Sequence, residues 1–181
     1  MPEYRPPQRV IRARILTPSG WIRGSFHVPR MQSFHDFLGQ RGPFFNLTEV
    51  AIAARGAELP YLALRRSAVR VIVPSIDERR LLVSAAQPGA VERTVTCVLD
   101  AYAVSGRVAV PAHLRVSDYL AHHSGFIQLR DADLGQGHER TSVVFLNVAA
   151  LVAVSEGPRP AAVAEIPSAV AVRAPTLAAT A

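Results

Sequence analysis

An internal repeat with an offset of 82 residues constrains this chain more than any other feature. The segment GSFHVPRMQSFHDFLGQRGPFFNL begins at Gly24, and GRVAVPAHLRVSDYLAHHSGFIQL begins at Gly106. Compared at this offset without gaps, the chain matches itself at Gly24/Gly106, Val28/Val110, Pro29/Pro111, Asp36/Asp118, Leu38/Leu120, Phe44/Phe126, Leu47/Leu129, Leu64/Leu146 and Ala68/Ala150. This match predicts a tandem duplication. Two copies are too few for a solenoid, so we expect two small domains or one pseudo-symmetric pair.

Each copy has the pattern of a small β unit. Alternating basic and apolar residues predict strands, and turn residues such as Pro18–Gly20 separate them. In the first copy we predict strands over 10–20, 21–28, 44–54, 59–66 and 68–75, with a helix over 33–40. In the second copy we predict strands over 94–99, 104–110, 126–132, 141–148 and 151–155, with a helix over 117–123. Five short strands per copy indicate a small barrel or a strongly bent sheet.

The repeat divides the chain into five parts. We predict an extended N-terminal arm (1–9), a basic first barrel (10–80), a linker (81–91), a second barrel (92–156) and an Ala/Pro/Val-rich tail (157–181). An extended tail loses about 1–2 kcal/mol of backbone entropy per ordered residue, which its few apolar side chains would not offset on their own. We therefore expect it to be ordered by a partner protein, with anchors at Val163, Ile166, Val170, Val172 and Leu177.

The positive charge is concentrated in the first copy. All twenty basic residues are arginines; residues 1–80 hold thirteen of them with six acids, and residues 81–160 hold six with seven acids. Such an uneven field suits an anionic partner, which the sequence leaves open as protein, lipid surface or nucleic acid. The predicted contacts are Arg12, Arg14, Arg23, Arg65, Arg66 and Arg70. Trp21 and Tyr61 are the aromatic candidates for base stacking.

Few residues are candidates for chemistry. Asp36 and Asp118 recur as a pair, but each is better placed to cap its helix, since Asp36 follows Ser33 by three residues. His113, His122, His123 and His138 lie near Asp118 in the second copy, and we favour exposed histidines over a metal site. Cys97 is expected to be a buried hydrophobe. No nucleophile triad, phosphate loop or dinucleotide fingerprint is present, so we expect no enzyme, no cofactor and no metal.

The order of strands resembles the Sm-like barrel of bacterial RNA chaperones. The residues that carry this resemblance are Gly20, Gly24, Phe45, Leu47, Ala68, Val69, Ile72, Val73, Pro74 and Ser75. The repeated DFL…F and DYL…F words also resemble single-copy bacterial β proteins of unknown function. The resemblance implies two tandem Sm/SH3-like barrels, each with one inserted helix. RNA-binding members carry Lys-His before the last strand, where this chain has Arg66-Ser67 and Val148-Ala149, so their RNA site is not implied.

These observations favour a non-enzymatic accessory subunit of a larger assembly, docked by its extended termini and its basic first barrel. We expect a cytoplasmic protein, because no apolar run reaches the ~18 residues that span a bilayer and the N-terminus has no signal-like apolar segment. A peripheral position on a respiratory or photosynthetic complex at the inner membrane is one context that suits the arginines. The alternative is an Sm-like nucleic-acid-binding protein.

Overall fold

The computed structural model describes residues 7–75, 89–100, 102–135 and 139–157. The predicted tail anchors, His138 and most of the predicted arm and linker lie outside these residues. The described chain is mainly β, as the sequence predicts. Within it, no helix is both long and apolar enough to cross a membrane.

The elements of the first half (residues 8–75) recur in the second half (residues 90–157). The first half contains β1 (Gln8–Thr17), β2 (Gly20–Pro29), α1 (Phe34–Gly39), β3 (Phe44–Ile52), β4 (Ala57–Arg65) and β5 (Val71–Pro74). The second half contains β6 (Ala90–Leu99), β7 (Tyr102–Pro111), α2 (Val116–His122), β8 (Phe126–Asp133), β9 (Arg140–Asn147) and β10 (Ala153–Glu156). The offset of 82 residues relates each element to its counterpart within one residue at either end.

The ten strands form one continuous antiparallel sheet in the order β10-β6-β7-β8-β9-β5-β1-β2-β3-β4, and this sheet is not closed. The two small tandem barrels that we expected are not confirmed, and one pseudo-symmetric pair was the other outcome that the duplication allowed. The halves are instead joined where β5 pairs with β9, with Val71 opposite Leu146 and Ile72 opposite Phe145. This pairing, here called the seam, satisfies edge strands that two separate units would each have left exposed. Strands β4 and β10 form the outer edges.

The two hydrophobic cores exchange residues across the seam. Leu16, Val71 and Val73 of the first half are buried in the cluster of the second half. Phe126, Val143 and Phe145 of the second half are buried in the cluster of the first. Neither half therefore has a complete core of its own, and we expect the described sheet to unfold as one unit.

Each helix covers one core with a leucine, as the sequence predicts: Leu38 is 1% exposed and Leu120 is 8% exposed. The helices are capped differently. The Ser33 hydroxyl accepts the backbone N–H of Asp36 at 3.0 Å, whereas the position equivalent to Ser33 is Arg115, whose side chain makes no cap. The Glu156 carboxylate of β10 accepts the backbone N–H of Val116 instead, at 2.8 Å.

A bulge bends each half at the same place. The pairing of β2 with β3 shifts at Gly24, so two residues of β3 lie opposite it. One of them, Glu49, has a φ of 51°, and its counterpart Asp131 has a φ of 45°. A Cβ at Gly106 would lie 3.0 Å from the backbone oxygen of Arg130, so a side chain there would require the strands to move apart by a few tenths of an ångström. The bulge aims an acidic side chain at the outer face of each half.

Candidate anion-binding groove

A basic groove lies at one end of the seam. Its volume is about 710 Å³, and it is lined by side chains of β1 and β2, the end of β5 and the start of β9. Four arginines line it, Arg12, Arg14, Arg23 and Arg140, together with two carboxylates, Glu49 and Glu139. We call this set the basic groove. It carries an excess of two positive charges.

The alternation of β1 positions the first two arginines. Ile11, Ala13 and Ile15 are buried, so Arg12 and Arg14 project from the opposite face of the strand. Both guanidinium groups contact carboxylates. Arg12 lies 3.9 Å from Glu49, which also accepts the Ser25 hydroxyl at 3.2 Å. Arg14 donates to Glu139, just before β9, and so links the two halves.

Two arginines meet directly across the β1–β2 ladder, where Arg14 lies opposite Arg23. Like charges at directly opposed positions destabilise a sheet unless an anion lies near them. Glu139 supplies one such anion to Arg14. Within the described part of the chain, Arg23 and Arg140 have no ion-pair partner, and both are exposed. No described carboxylate therefore neutralises these two guanidinium groups.

The groove is open because the seam ends early. In β5 the backbone of Ile72 faces β9, and the next residue whose backbone faces β9 is Pro74. Proline has no N–H to donate, so the ladder does not continue past Ile72 and Phe145. Beyond that point Pro74 and Thr141 line the groove instead of pairing.

The other three predicted contacts lie elsewhere. Arg66 turns inward, donates to the carbonyl oxygen of Leu38 and stacks 3.9 Å from the centre of the Phe45 ring. Burial lowers the pKa of its guanidinium. Arg70 pairs with Asp100 at 3.2 Å across the two halves. Arg65 is exposed at the end of β4, on the outer edge of the sheet.

The aromatic candidates do not offer a stacking surface in the groove. Trp21 is partly buried against the second core, and Arg14 lies over its ring at 5.2 Å. Tyr61 is exposed, but it is on β4 and donates to Asn46 at 2.7 Å. Neither ring lines the groove.

Several of the remaining chemical candidates make local structural contacts. The Asp36 carboxylate accepts the Ser33 hydroxyl at 2.6 Å and so holds in place the side chain that caps α1. Asp118 lies in the first turn of α2, and its carbonyl oxygen contacts His122 at 2.8 Å. The described residues contain no group of three or more side chains that could hold a metal ion. Burial raises the pKa of Cys97 to about 12, so its thiol is a poor nucleophile near neutral pH.

Arg140, Glu139 and Glu49 were missed by sequence reasoning. Arg140 and Glu139 join the groove only because β9 pairs with β5, which no local pattern predicts. Glu49 had a detectable signal: an acidic residue recurs at the same repeat position as Asp131.

The chain was compared with protein-family models, curated proteins and solved structures, and no match was found.

Proposed function

We propose that this protein is a non-enzymatic accessory subunit whose basic groove binds an acidic segment of a partner protein. The observation that carries the proposal is the placement of four arginines around one groove, with Arg23 and Arg140 unpaired among the described residues. Guanidinium groups bind carboxylates with two parallel hydrogen bonds, which gives both affinity and orientation.

The geometry favours a protein over a nucleic acid. Proteins that bind single strands combine a basic groove with aromatic rings on which bases stack. Of the two aromatic candidates, Trp21 is covered by Arg14 and packed against the second core, and Tyr61 lies on β4, away from the groove. The described lining of the groove thus contains charged groups and hydrogen-bond donors and no aromatic ring.

We further propose that each half is a small Sm-like barrel unit, bent at its bulge. The strand order β5-β1-β2-β3-β4 of the first half is repeated as β10-β6-β7-β8-β9 in the second, which supports this proposal. In this view the protein is a fused pair of units, of which the first carries the basic surface.

The repeat supplies a well-matched variant for the test. The second-half counterparts of Arg12, Arg14 and Arg23 are Thr94, Thr96 and Ser105. The triple change R12T/R14T/R23S therefore introduces residues already used at these strand positions, and Thr also favours strands. The control R30T/R41T/R55T removes the same charge from exposed sites outside the groove.

The experiment measures binding of a labelled oligoglutamate peptide and a single-stranded RNA, and retention of the tagged protein in its native assembly. We expect the groove variant to bind the peptide at least about tenfold more weakly, a change of about 1.4 kcal/mol, and to lose retention. The control variant should keep both peptide binding and retention in the assembly. Stronger binding to RNA, falling steeply with salt, would instead support the nucleic-acid alternative. Unchanged retention would show that the groove is not the docking site.

A further inference from the structure

We propose that copies of this chain join edge to edge, with β4 of one copy pairing with β10 of the next. The contact repeats, between two chains, the pairing of β9 with β5 inside each chain. It uses no residue of the basic groove and goes beyond the function proposed above.

The strand order leads to this inference. At the offset of 82 residues, β4 is the counterpart of β9 and β10 is the counterpart of β5. The seam joins the fourth strand of one half to the fifth strand of the other. Each chain leaves one more fourth strand and one more fifth strand at its outer edges. A head-to-tail contact of this kind builds a ring if the rotation closes and a filament if it does not.

At both outer edges, the backbone N–H and C=O groups that would pair with a second copy face outward. At the seam, Asn147 donates its N–H to the carbonyl of Arg70 at 3.0 Å, so alternate β9 residues such as Phe145 also face β5. In β4, Arg66 donates to Pro43 on the β3 side, which leaves the counterpart of Phe145, Ala63, facing outward.

The β10 edge shows the complementary arrangement. Gly157 donates its N–H to Thr94 on the β6 side at 3.1 Å, so the backbone of Val154 faces outward. Val154 is the counterpart of Ile72, which lies opposite Phe145 at the seam. The register of the seam therefore places Val154 opposite Ala63 of the next copy, and Ala153 opposite Leu64.

The side chains at the edges also correspond to those at the seam. Phe126 is 4% exposed and lies 5.9 Å from Phe45 across the seam, whereas its counterpart Phe44 is 50% exposed. Tyr61 on β4 and Val152 beside β10 are 55% and 67% exposed. These three belong to the six large hydrophobic residues that are exposed in the described chain.

An apolar groove is present where Phe44 of a neighbouring copy would arrive. It lies between α2 and β10 and is lined by Leu120, Ala121, Val148, Leu151 and Val154. At the seam the counterpart of Phe44, Phe126, is buried in the first core beside α1, and its carbonyl oxygen contacts the His35 ring of that helix at 2.9 Å. The outer edge thus presents both the aromatic side chain and the space that would receive one.

Among the described residues, the middle of β4 has little protection against pairing, because its charged residues, Glu58 and Arg65, lie near its two ends. Soluble proteins shield edge strands with prolines, charges or bulges. Pro60 is the proline of β4, and its position in the alternation directs its missing N–H toward β3. The outward positions around Tyr61 and Ala63 keep their N–H groups. A second copy, which carries the complementary edge, is therefore the occupant that we infer.

The test uses one proline at each edge of the full-length chain. Ala63→Pro blocks β4 and Val154→Pro blocks β10, and neither removes a hydrogen bond within the sheet. By native mass spectrometry and sedimentation, we expect the wild type to form species above one chain and each variant alone to lose them. An equimolar mixture of the two variants should form a dimer and nothing larger, because one intact β4 meets one intact β10.

Three results would overturn the proposal: a wild type that remains a single chain at all concentrations, folded variants that keep the wild-type mass, or a mixture that gives no dimer. Should a proline variant fail to fold, Phe44→Glu decides, since its half-exposed ring contributes little to the fold. Deletion of residues 158–181 is the further control: if only the deleted chain assembles, the tail of the same chain covers an edge and the proposal is wrong. The R12T/R14T/R23S variant should assemble as the wild type does, which separates this proposal from the groove.

Discussion

The two halves of the sheet share their strands and differ in the face they present to solvent. Where the first half has Arg12, Arg14 and Arg23, the second has Thr94, Thr96 and Ser105. The Thr96 and Ser105 hydroxyls bond to each other at 3.0 Å, whereas the corresponding arginines lie opposite each other as like charges. At these three positions the second half therefore exposes neutral side chains, two of which bond to each other, whereas the first half exposes three positive charges.

Four charged residues around the bulge of the second half pair with one another. Arg107 pairs with Asp131 and, at 2.7 Å, with Glu92, which also accepts from Arg130 at 3.3 Å. In the first half Glu49 faces Arg12 at 3.9 Å, and Arg23 has no ion-pair partner among the described residues. The two halves therefore share their strands and differ in the charged side chains that these strands expose.

The largest effect is expected when a side chain of one half is removed from the core of the other, which tests whether the two halves depend on each other for stability. Phe145→Ala should reduce the free energy of unfolding by about 3–5 kcal/mol, because the ring is fully buried in the first core. Urea denaturation followed by Trp21 fluorescence and by circular dichroism should show the same shift. A shift in circular dichroism alone would mean that the halves unfold separately.

Leu38 and Leu120 test whether the two helices cover their cores equally. Truncating either leucine to alanine should lower the free energy of unfolding by about 2–5 kcal/mol, and the loss for Leu38→Ala should lie nearer the upper end of that range. Leu120 borders the apolar groove beside β10 and is slightly more exposed, so its loss leaves a smaller enclosed cavity. Thermal denaturation of both variants measures the difference, and a cost below about 1 kcal/mol for either would show that its helix is peripheral.

Asn147 and Arg65 occupy equivalent positions, one at the seam and one at the edge. Asn147→Ala should cost about 1–3 kcal/mol, because its side chain donates to the carbonyl of Val69 at 2.9 Å in a buried place. Arg65→Ala should change the stability of the monomeric Ala63→Pro chain by less than about 0.5 kcal/mol. If chemical denaturation gave equal losses of stability for Asn147→Ala and Arg65→Ala, the side chain at the seam would contribute no more to the fold than the one at the edge, contrary to this prediction.

The smallest expected difference concerns the helix caps. Ser33→Ala should cost about 1 kcal/mol, since the hydroxyl caps α1, whereas Arg115→Ala at the equivalent position should have almost no effect. Asp36→Asn should also be nearly neutral in stability. The two alanine variants can be compared by melting temperature under identical conditions; a larger loss for Arg115→Ala would reverse the assignment of caps.

Much of the local structure could be predicted from the sequence, because alternation and turns act over short distances. Each predicted strand overlaps an observed one, and the predicted helices match α1 and α2 to within a residue or so. The joining of the halves could not be predicted, since the pairing of Val71 with Leu146 depends on two strands far apart in sequence. That the two halves arose by duplication of one ancestral unit stays a prediction.

The part of the candidate site that could be predicted is the part that depends on which side chains of a strand point to the same face. Arg12, Arg14 and Arg23 lie on adjacent strands and reach one groove, as their phase indicated. Arg66 follows the end of β4 in a short 3-10 turn, which redirects its side chain inward to Leu38. Alternation along a strand gives no information about such a turn, so this arginine was placed on the wrong surface by pattern alone.

The exchange of core residues has a consequence for how the chain is made. Leu16, Val71 and Val73 leave the ribosome before the strands that cover them, and the partner of Val71 is synthesised about 75 residues later. At about 5–20 residues per second, the first half waits roughly 4–15 s with an open strand edge and an incomplete core. During translation this nascent half is the species most exposed to aggregation and to chaperones, and synonymous codons that slow elongation through β6–β9 would lengthen that exposure.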